Sequence, residues 1–273
     1  MMAGVVDLAV CVRQWDWSET SQTVSLFCRG HGLIRAVAKG SRRDDRRFSG
    51  GIEVGTLGEV VLIIKRAPAM AVLAGWDLRE TFAHNRRDLG AFNAAMYVLE
   101  LMQQMFEAAD PHVALFDRLV GALGGLGDPR RRPMVLACFQ WSLLEEAGYR
   151  PVLDRDVVTG KPLPEANTYA FRPARGGLGV DPRASGASGA AAGVSDGVRS
   201  TGGPIWRVRR ETVEALRRLA SNKRDEGSIA VEAGAVLDRV NRLLASYLRE
   251  IIGHQPPAMA VVFGSDPGPA SGG

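Results

Sequence analysis

The chain has 273 residues, 46% hydrophobic and 23% charged, a balance that suits a soluble globular protein with two modest cores and excludes a disordered chain. Its three cysteines, Cys11, Cys28 and Cys138, stand far apart with no CxxC pair, which excludes a disulfide framework and a thiolate metal site and fits a reducing cytoplasm. Net charge is +4 and the pI is near 9.2, a small excess whose meaning depends on where the basic residues lie.

The opening MMAGVVDLAV carries no basic segment ahead of its apolar stretch and already includes Asp7, so no signal peptide is expected, and no apolar run reaches membrane-spanning length. Val6, Leu8, Val10 and Val12 alternate at period two, a strand over residues 5–13, and Val24, Leu26 and Cys28 form a second after the polar SETSQ. RGHG at 29–32 supplies a turn before a third strand, Leu33 to Lys39. The β-branched run Leu57 to Lys65 and a short stretch from Ala71 to Trp76 bring the count to five. Five short strands without a crossover helix among the first three predict a small closed antiparallel barrel; an OB-fold and an SH3-like barrel both fit.

From Arg79 the period becomes helical, with Ala91, Ala94, Ala95, Val98, Leu101, Met102 and Met105 on one face. Asp110 and Pro111 are placed as N-cap and first residue of a second helix that ends at GGLGDP, and Pro133 opens a third that Gly148 stops. Residues 174–204 hold nine glycines and six alanines and few large aliphatics, which predicts a mobile insertion without a core. Two further helices are expected, from Glu211 to Ser221 and from Ile229 to Glu250, before the tail SDPGPASGG. The organisation expected is α+β: a barrel over 1–78, an all-helical domain in two parts over 79–173 and 205–254 around the insertion, and a tail over 255–273.

Between Arg29 and Arg47 seven basic residues face only Asp44 and Asp45, a local balance of +5. Guanidinium and ammonium groups on a strand end and its loop follow a phosphate backbone without fixed base sequence, whereas a solvated loop serving solubility has the same composition. Trp15, Trp17 and Phe48 are candidates for base stacking. Trp15 and Trp17 flank Asp16 in what reads as a polar turn, while Phe27, mid-strand, reads as core. Arg130, Arg131 and Arg132 form a second basic run at a helix start, where the macrodipole disfavours cations, and are a candidate DNA or acidic-peptide contact. Nucleotide-binding and metalloprotease motifs are missing, and His31, His84, His112 and His254 lack metal-ligand spacing. Cys28 and His31 make a lone CxxH with no second pair. No catalytic residue, cofactor or metal is expected.

AVCVRQWDWSETS leads into VSLFCRGHGLIRAVAKGSRR, with Ser18, Glu19, Ser21, Leu26, Phe27, Gly32, Ala38, Lys39, Gly40, Arg42 and Arg43 in a strand, a turn and a basic hairpin. In these residues the chain resembles the RecO family of recombination mediators. The likeness returns at LLEEAGYRPVLDR, residues 143–155. The resemblance implies an N-terminal OB-fold and a helical C-terminal domain. It also implies binding of single- and double-stranded DNA, strand annealing, and loading of RecA in partnership with RecR and the acidic, hydrophobic C-terminal tail of the single-stranded DNA-binding protein SSB. A cytoplasmic, nucleoid-associated placement follows. DNA contact is carried over to Lys39, Arg42 and Arg43, and the charge cluster adds Arg35, Arg46 and Arg47.

Zinc-bearing relatives have a CxxC directly after the matching L-D-R element, where this chain has Asp156 and Thr159, and no cysteine follows between 176 and 204. A structural zinc site needs four ligands, so zinc is not expected. The closing IIGHQPPAMAVVFG also lacks the basic segment of many members. These departures motivate a competing reading, a protein-interaction scaffold of a repair complex that no longer binds DNA.

Overall fold

A computed structural model describes residues 4–42, 47–49, 51–64, 70–106, 110–183, 203–221 and 234–264. These form two compact units, one of Met1–Phe139 with Pro256–Val262, the other of Gln140–Gln255 with Phe263–Gly273.

Alternating apolar residues build the barrel of the first unit from β1 (Val5–Ser18), β2 (Ser21–Cys28), β3 (Gly32–Ala38), the two-residue β4 (Phe48–Ser49), β5 (Leu57–Ile63) and β6 (Ala71–Glu80). The sheet order is β3-β2-β1-β5-β6-β4, and a parallel pairing of β3 with β6 closes it. The barrel is therefore OB-like and mixed, not purely antiparallel as the strand spacing predicts. Ala9, Cys11, Val24, Leu26, Ile34, Ala36, Val60, Leu62, Leu73 and Trp76 fill it. Two elements outrun their predicted ends. β1 continues through Trp15 and Trp17 to Ser18, past two register irregularities, so the expected polar turn is strand; β6 continues through Arg79 to Glu80, where a helical period was expected. Polar residues pair as readily as apolar ones on a strand's solvent side, and the alternation of hydrophobicity that marks a strand fades there.

Helices α1 (Leu89–Met105) and α2 (Val113–Gly125) follow, and the unit boundary falls within α3 (Arg132–Glu146). Asp88 caps α1, its side chain accepting from the Ala91 N–H at 2.8 Å. The predicted Asp110–Pro111 start of α2 is displaced: His112 is the N-cap and Val113 the first helical residue. The Asp110 backbone instead packs against Gly32, whose positive φ of 65° opens β3. Of the expected tail, residues 257–263 form α6 (Pro257–Phe263), whose Met259 is fully buried and whose Ala258 N–H donates to Glu100 of α1 at 2.8 Å. Residues 265–273 lie outside the described residues.

The second unit adds α4 (Arg210–Ser221) and α5 (Gly234–Ile252), near their predicted positions, although residues 222–233 lie outside the described residues. It is not all-helical. A three-stranded antiparallel sheet, β7 (Thr168–Arg172), β8 (Gly177–Val180) and β9 (Trp206–Arg209), runs in the order β8-β7-β9. β8 lies inside the segment read as a mobile insertion, of which residues 184–202 lie outside the described residues. One face of the sheet is aromatic: Phe171 stacks on Trp206 at 5.7 Å and meets Tyr247 of α5 edge-on at 5.2 Å. The other face carries Ala170, Gly177 and Gly179 and is covered by residues 152–161. Those glycines make room for the covering segment.

A Cβ at Gly32 would overlap the Asp110 carbonyl and sit in the left-handed region. Gly32→Ala is expected to lower stability by about 3 kcal/mol, read as a shift in the urea unfolding midpoint. An unchanged midpoint would show that the segment before α2 yields without cost.

Candidate nucleic-acid interface

Side chains on the outer side of β1–β2–β3 fall into two zones. At one end Val10, Phe27 and Leu33, in register across the three strands, point away from the barrel core yet are buried. The rings of Phe106 and Phe116 lie 6.4 and 6.2 Å from Phe27, so the helical part of the unit covers this end. The Gln103 amide of α1 donates to the Val12 carbonyl at 3.0 Å. Beyond that bond the same outer side carries its first exposed charged side chains.

There the register aligns Arg13, Ser25 and Arg35 in one row and Trp15, Thr23 and Val37 in the next. Arg13 and Arg35 are exposed, two strand spacings or about 10 Å apart. Exposed Lys39 follows one residue beyond the end of β3. Among the described residues, neither Arg35 nor Lys39 has a carboxylate in ion-pair range. The Arg13 guanidinium lies over the Trp15 ring, 4.6 Å from its centre. Trp17, at 65% exposure, presents a second indole. The outcome is an outer side on which Arg13, Arg35 and Lys39 are exposed beside the half-buried Trp15, while Ser25 and Thr23, between the cations of the flanking strands, are buried.

The linear cluster divides differently. Arg29 is committed to α2, its Nε and Nη2 each donating to the Asp117 carboxylate at 3.0 Å, which holds that carboxyl below its usual range. Arg42 pairs with Asp16 at the end of β1, and its backbone N–H donates to the Thr20 carbonyl. Exposed Arg47 lies near the Phe48 ring, and its carbonyl accepts from the Trp76 N–H at 2.7 Å. Arg43 and Arg46 lie outside the described residues. Phe48 leaves the set of stacking candidates, because it is 6% exposed and packs in the barrel core. Phe27 is core, as its mid-strand position predicts.

The second basic run also finds a packing role. Arg132, the first residue of α3, reaches across Gly90, ion-pairs with Asp88 and donates from Nε to the Leu126 carbonyl at 2.8 Å. Two aspartates offset the macrodipole there: Asp88 takes Arg132, and the Asp128 side chain accepts from the Arg130 N–H at 2.9 Å. Only Arg130 and Arg131 remain exposed.

The CxxH pair is split by the fold. Cys28 points into the barrel, where burial drives its thiol upward, and burial likewise pushes Cys11 up to about 12, so neither is a ready nucleophile. His31 Nδ1 lies 2.6 Å from Asp7, a carboxylate that also accepts from the Gly30 N–H and so fixes the turn before β3. No helix among the described residues is long and apolar enough to cross a membrane.

The family profile described as "Recombination protein O N terminal" matches residues 2–82, the barrel, and that described as "Recombination protein O C terminal" matches residues 86–260. The chain belongs to the RecO family. Among curated relatives, a "DNA repair protein RecO" of Rhodopirellula baltica is 30% identical over 56% of this chain and 57% of its own length. Those of Anaeromyxobacter dehalogenans and Geobacter sulfurreducens are 33% and 30% identical, each over 57% of this chain and over 61% and 63% of their own lengths. The chain thus matches less than two thirds of the length of each of these relatives.

Arg13 is the residue that linear reading passes over. It stands alone in a polar stretch 22 positions before Arg35, and only the β1–β2–β3 register makes the two neighbours. Core and interface aromatics separate in stability. Phe48→Ala is expected to cost about 3–5 kcal/mol, and Trp17→Ala to stay within about 0.5 kcal/mol, both by urea denaturation. A large loss at Trp17 would place it in the core and remove it from the interface.

Proposed function

We propose that this chain is a DNA-binding recombination mediator that works by holding strands and not by turning over a substrate. The observation that carries the reading is the set of exposed cations on the outer side of β1–β2–β3, Arg13 and Arg35 in one register row and Lys39 just beyond, with the Arg13 guanidinium over Trp15. Cations without protein carboxylates gain most from phosphates, because each contact releases condensed counterions, and an indole stacks on any base. Such a face recognises the backbone and the π-face of bases and reads no sequence, as an annealing protein requires. The relatives' name, DNA repair protein RecO, supports a role in repair. We assign RecR, the SSB tail and, through them, RecA loading as partners on that basis, with action in the cytoplasm.

We assign Arg42, Arg43, Arg46 and Arg47, from the same basic stretch of sequence, as further DNA contacts, and Arg130 and Arg131 as a second contact for DNA or an acidic peptide. Because Arg42 already has a carboxylate partner, its gain from a phosphate is smaller than that of Arg35 or Lys39.

Fluorescence anisotropy with a labelled single-stranded oligonucleotide, titrated at a series of salt concentrations, tests the proposal. The wild-type chain is expected to bind with a steep negative dependence on salt. Arg13→Glu, Arg35→Glu and Lys39→Glu combined are expected to bind more weakly and to reduce the log–log slope by roughly 2, at about 0.7 per single-strand phosphate contact. Arg29→Ala is expected to leave the slope unchanged. Equal binding by wild type and triple variant would move the function away from this face and favour the scaffold reading.

A further inference from the structure

The family resemblance implies a cysteine pair at positions 156 and 159, and the residues standing there do not fit a metal. Asp156 is 6% exposed, and both its oxygens are already engaged. Oδ1 accepts from the backbone N–H groups of Val158 at 2.7 Å and Thr159 at 3.1 Å, and Oδ2 accepts from that of Val180 at 3.0 Å. The Thr159 hydroxyl accepts from the Lys161 N–H at 3.4 Å, within its own turn. The second unit contains no cysteine, and among the described residues no group of three or more His, Cys, Asp or Glu is placed to hold an ion.

What the carboxylate joins is informative. Val158 and Thr159 belong to the tight turn at 156–161, which the Asp156 N–H closes onto the Lys161 carbonyl at 2.8 Å; Val180 ends β8, a separate part of the chain. The Val157 N–H donates to the Leu178 carbonyl at 2.9 Å, so turn and strand already touch, and the carboxylate adds a bond that spans them. The Arg172 guanidinium of β7 supplies a nearby positive charge, and Gly179, opposite Ala170, leaves space for both groups: a Cβ there would lie 3.2 Å from Arg172 Nε and 3.5 Å from the Asp156 oxygens. A buried anion with three N–H donors and a nearby cation is compensated, whereas one without them is strongly destabilising.

We propose that Asp156 is the cross-link of this segment, a carboxylate holding the 156–161 turn to β8 through backbone N–H groups, so that the segment folds without the metal ion its position implies. Burial opposes ionisation of Asp156, but the Val180, Val158 and Thr159 N–H groups and the Arg172 charge outweigh it, and the carboxyl is held below the ordinary range. Its contribution to stability is thus complete above about pH 4, the unfolded value, and is lost as pH falls through the folded one.

Hydrogen exchange on the full chain tests this, comparing wild type with Asp156→Asn, which conserves volume, and with Asp156→Ala, each with and without a zinc chelator. The chelator is expected to change nothing in the wild type. In Asp156→Asn the amide must turn either its oxygen or its NH2 toward Val180, so protection in 156–161 and 177–180 is expected to fall about tenfold or more while α5 is unaffected. In urea unfolding the wild-type advantage over Asp156→Asn should be constant from pH 7 to about 4 and shrink below that. Loss of wild-type protection on chelation would show that a metal holds the segment. Full protection in Asp156→Asn would show that the carboxylate is not the cross-link. Either result overturns the proposal.

Discussion

Phe27 stands on the outward side of β2 and cannot be left in water without a large apolar cost. The fold buries it under Phe106 and Phe116, and the bidentate Arg29–Asp117 pair stands close by in sequence, joining the residue after β2 to α2. This contact fixes which end of the barrel's outer face the helices cover. Toward the other end of the same outer side the side chains of Arg13 and Arg35 are exposed. The candidate interface is in this sense the complement of a packing requirement.

Charge counting along the chain does not show which cations are already paired within the fold. Of the basic residues between 29 and 47, Arg29 and Arg42 neutralise Asp117 and Asp16 within the structure, and an ion pair across 88 positions is invisible in a local window. Arg13 enters from another strand by register. Phe48 shows the same limit for aromatics: a residue in a polar, basic hairpin reads as exposed, but a two-residue pairing with β6 turns it into the core. The barrel itself was legible, because alternation in β1, β2 and β3 is a direct record of which side faces inward.

The second unit was less legible for a related reason. A segment with few large aliphatics offers little apolar surface for a core, yet in β7 and β8 small residues are what allow residues 152–161 to approach the sheet. A segment's composition says how much apolar surface it can bury, and nothing about how closely another backbone can come to it. The Asp156 bonds depend on that approach, since a Cβ at position 177 would lie 2.5 Å from the Val152 carbonyl oxygen of the covering segment.

Helix α6 has a consequence for the order of events during synthesis. The first unit is discontinuous, taking Pro256–Val262 from beyond the second, and Met259 is fully buried in it. A ribosome that has released residue 139 must add 117 more, 256 minus 139, before α6 begins to appear, a delay of roughly 6 to 23 seconds at ordinary elongation rates. For that time the barrel and its first helices exist without Met259 in place and without the Ala258 N–H that Glu100 accepts. Helix α6 therefore completes the first unit only after most of the second has been made.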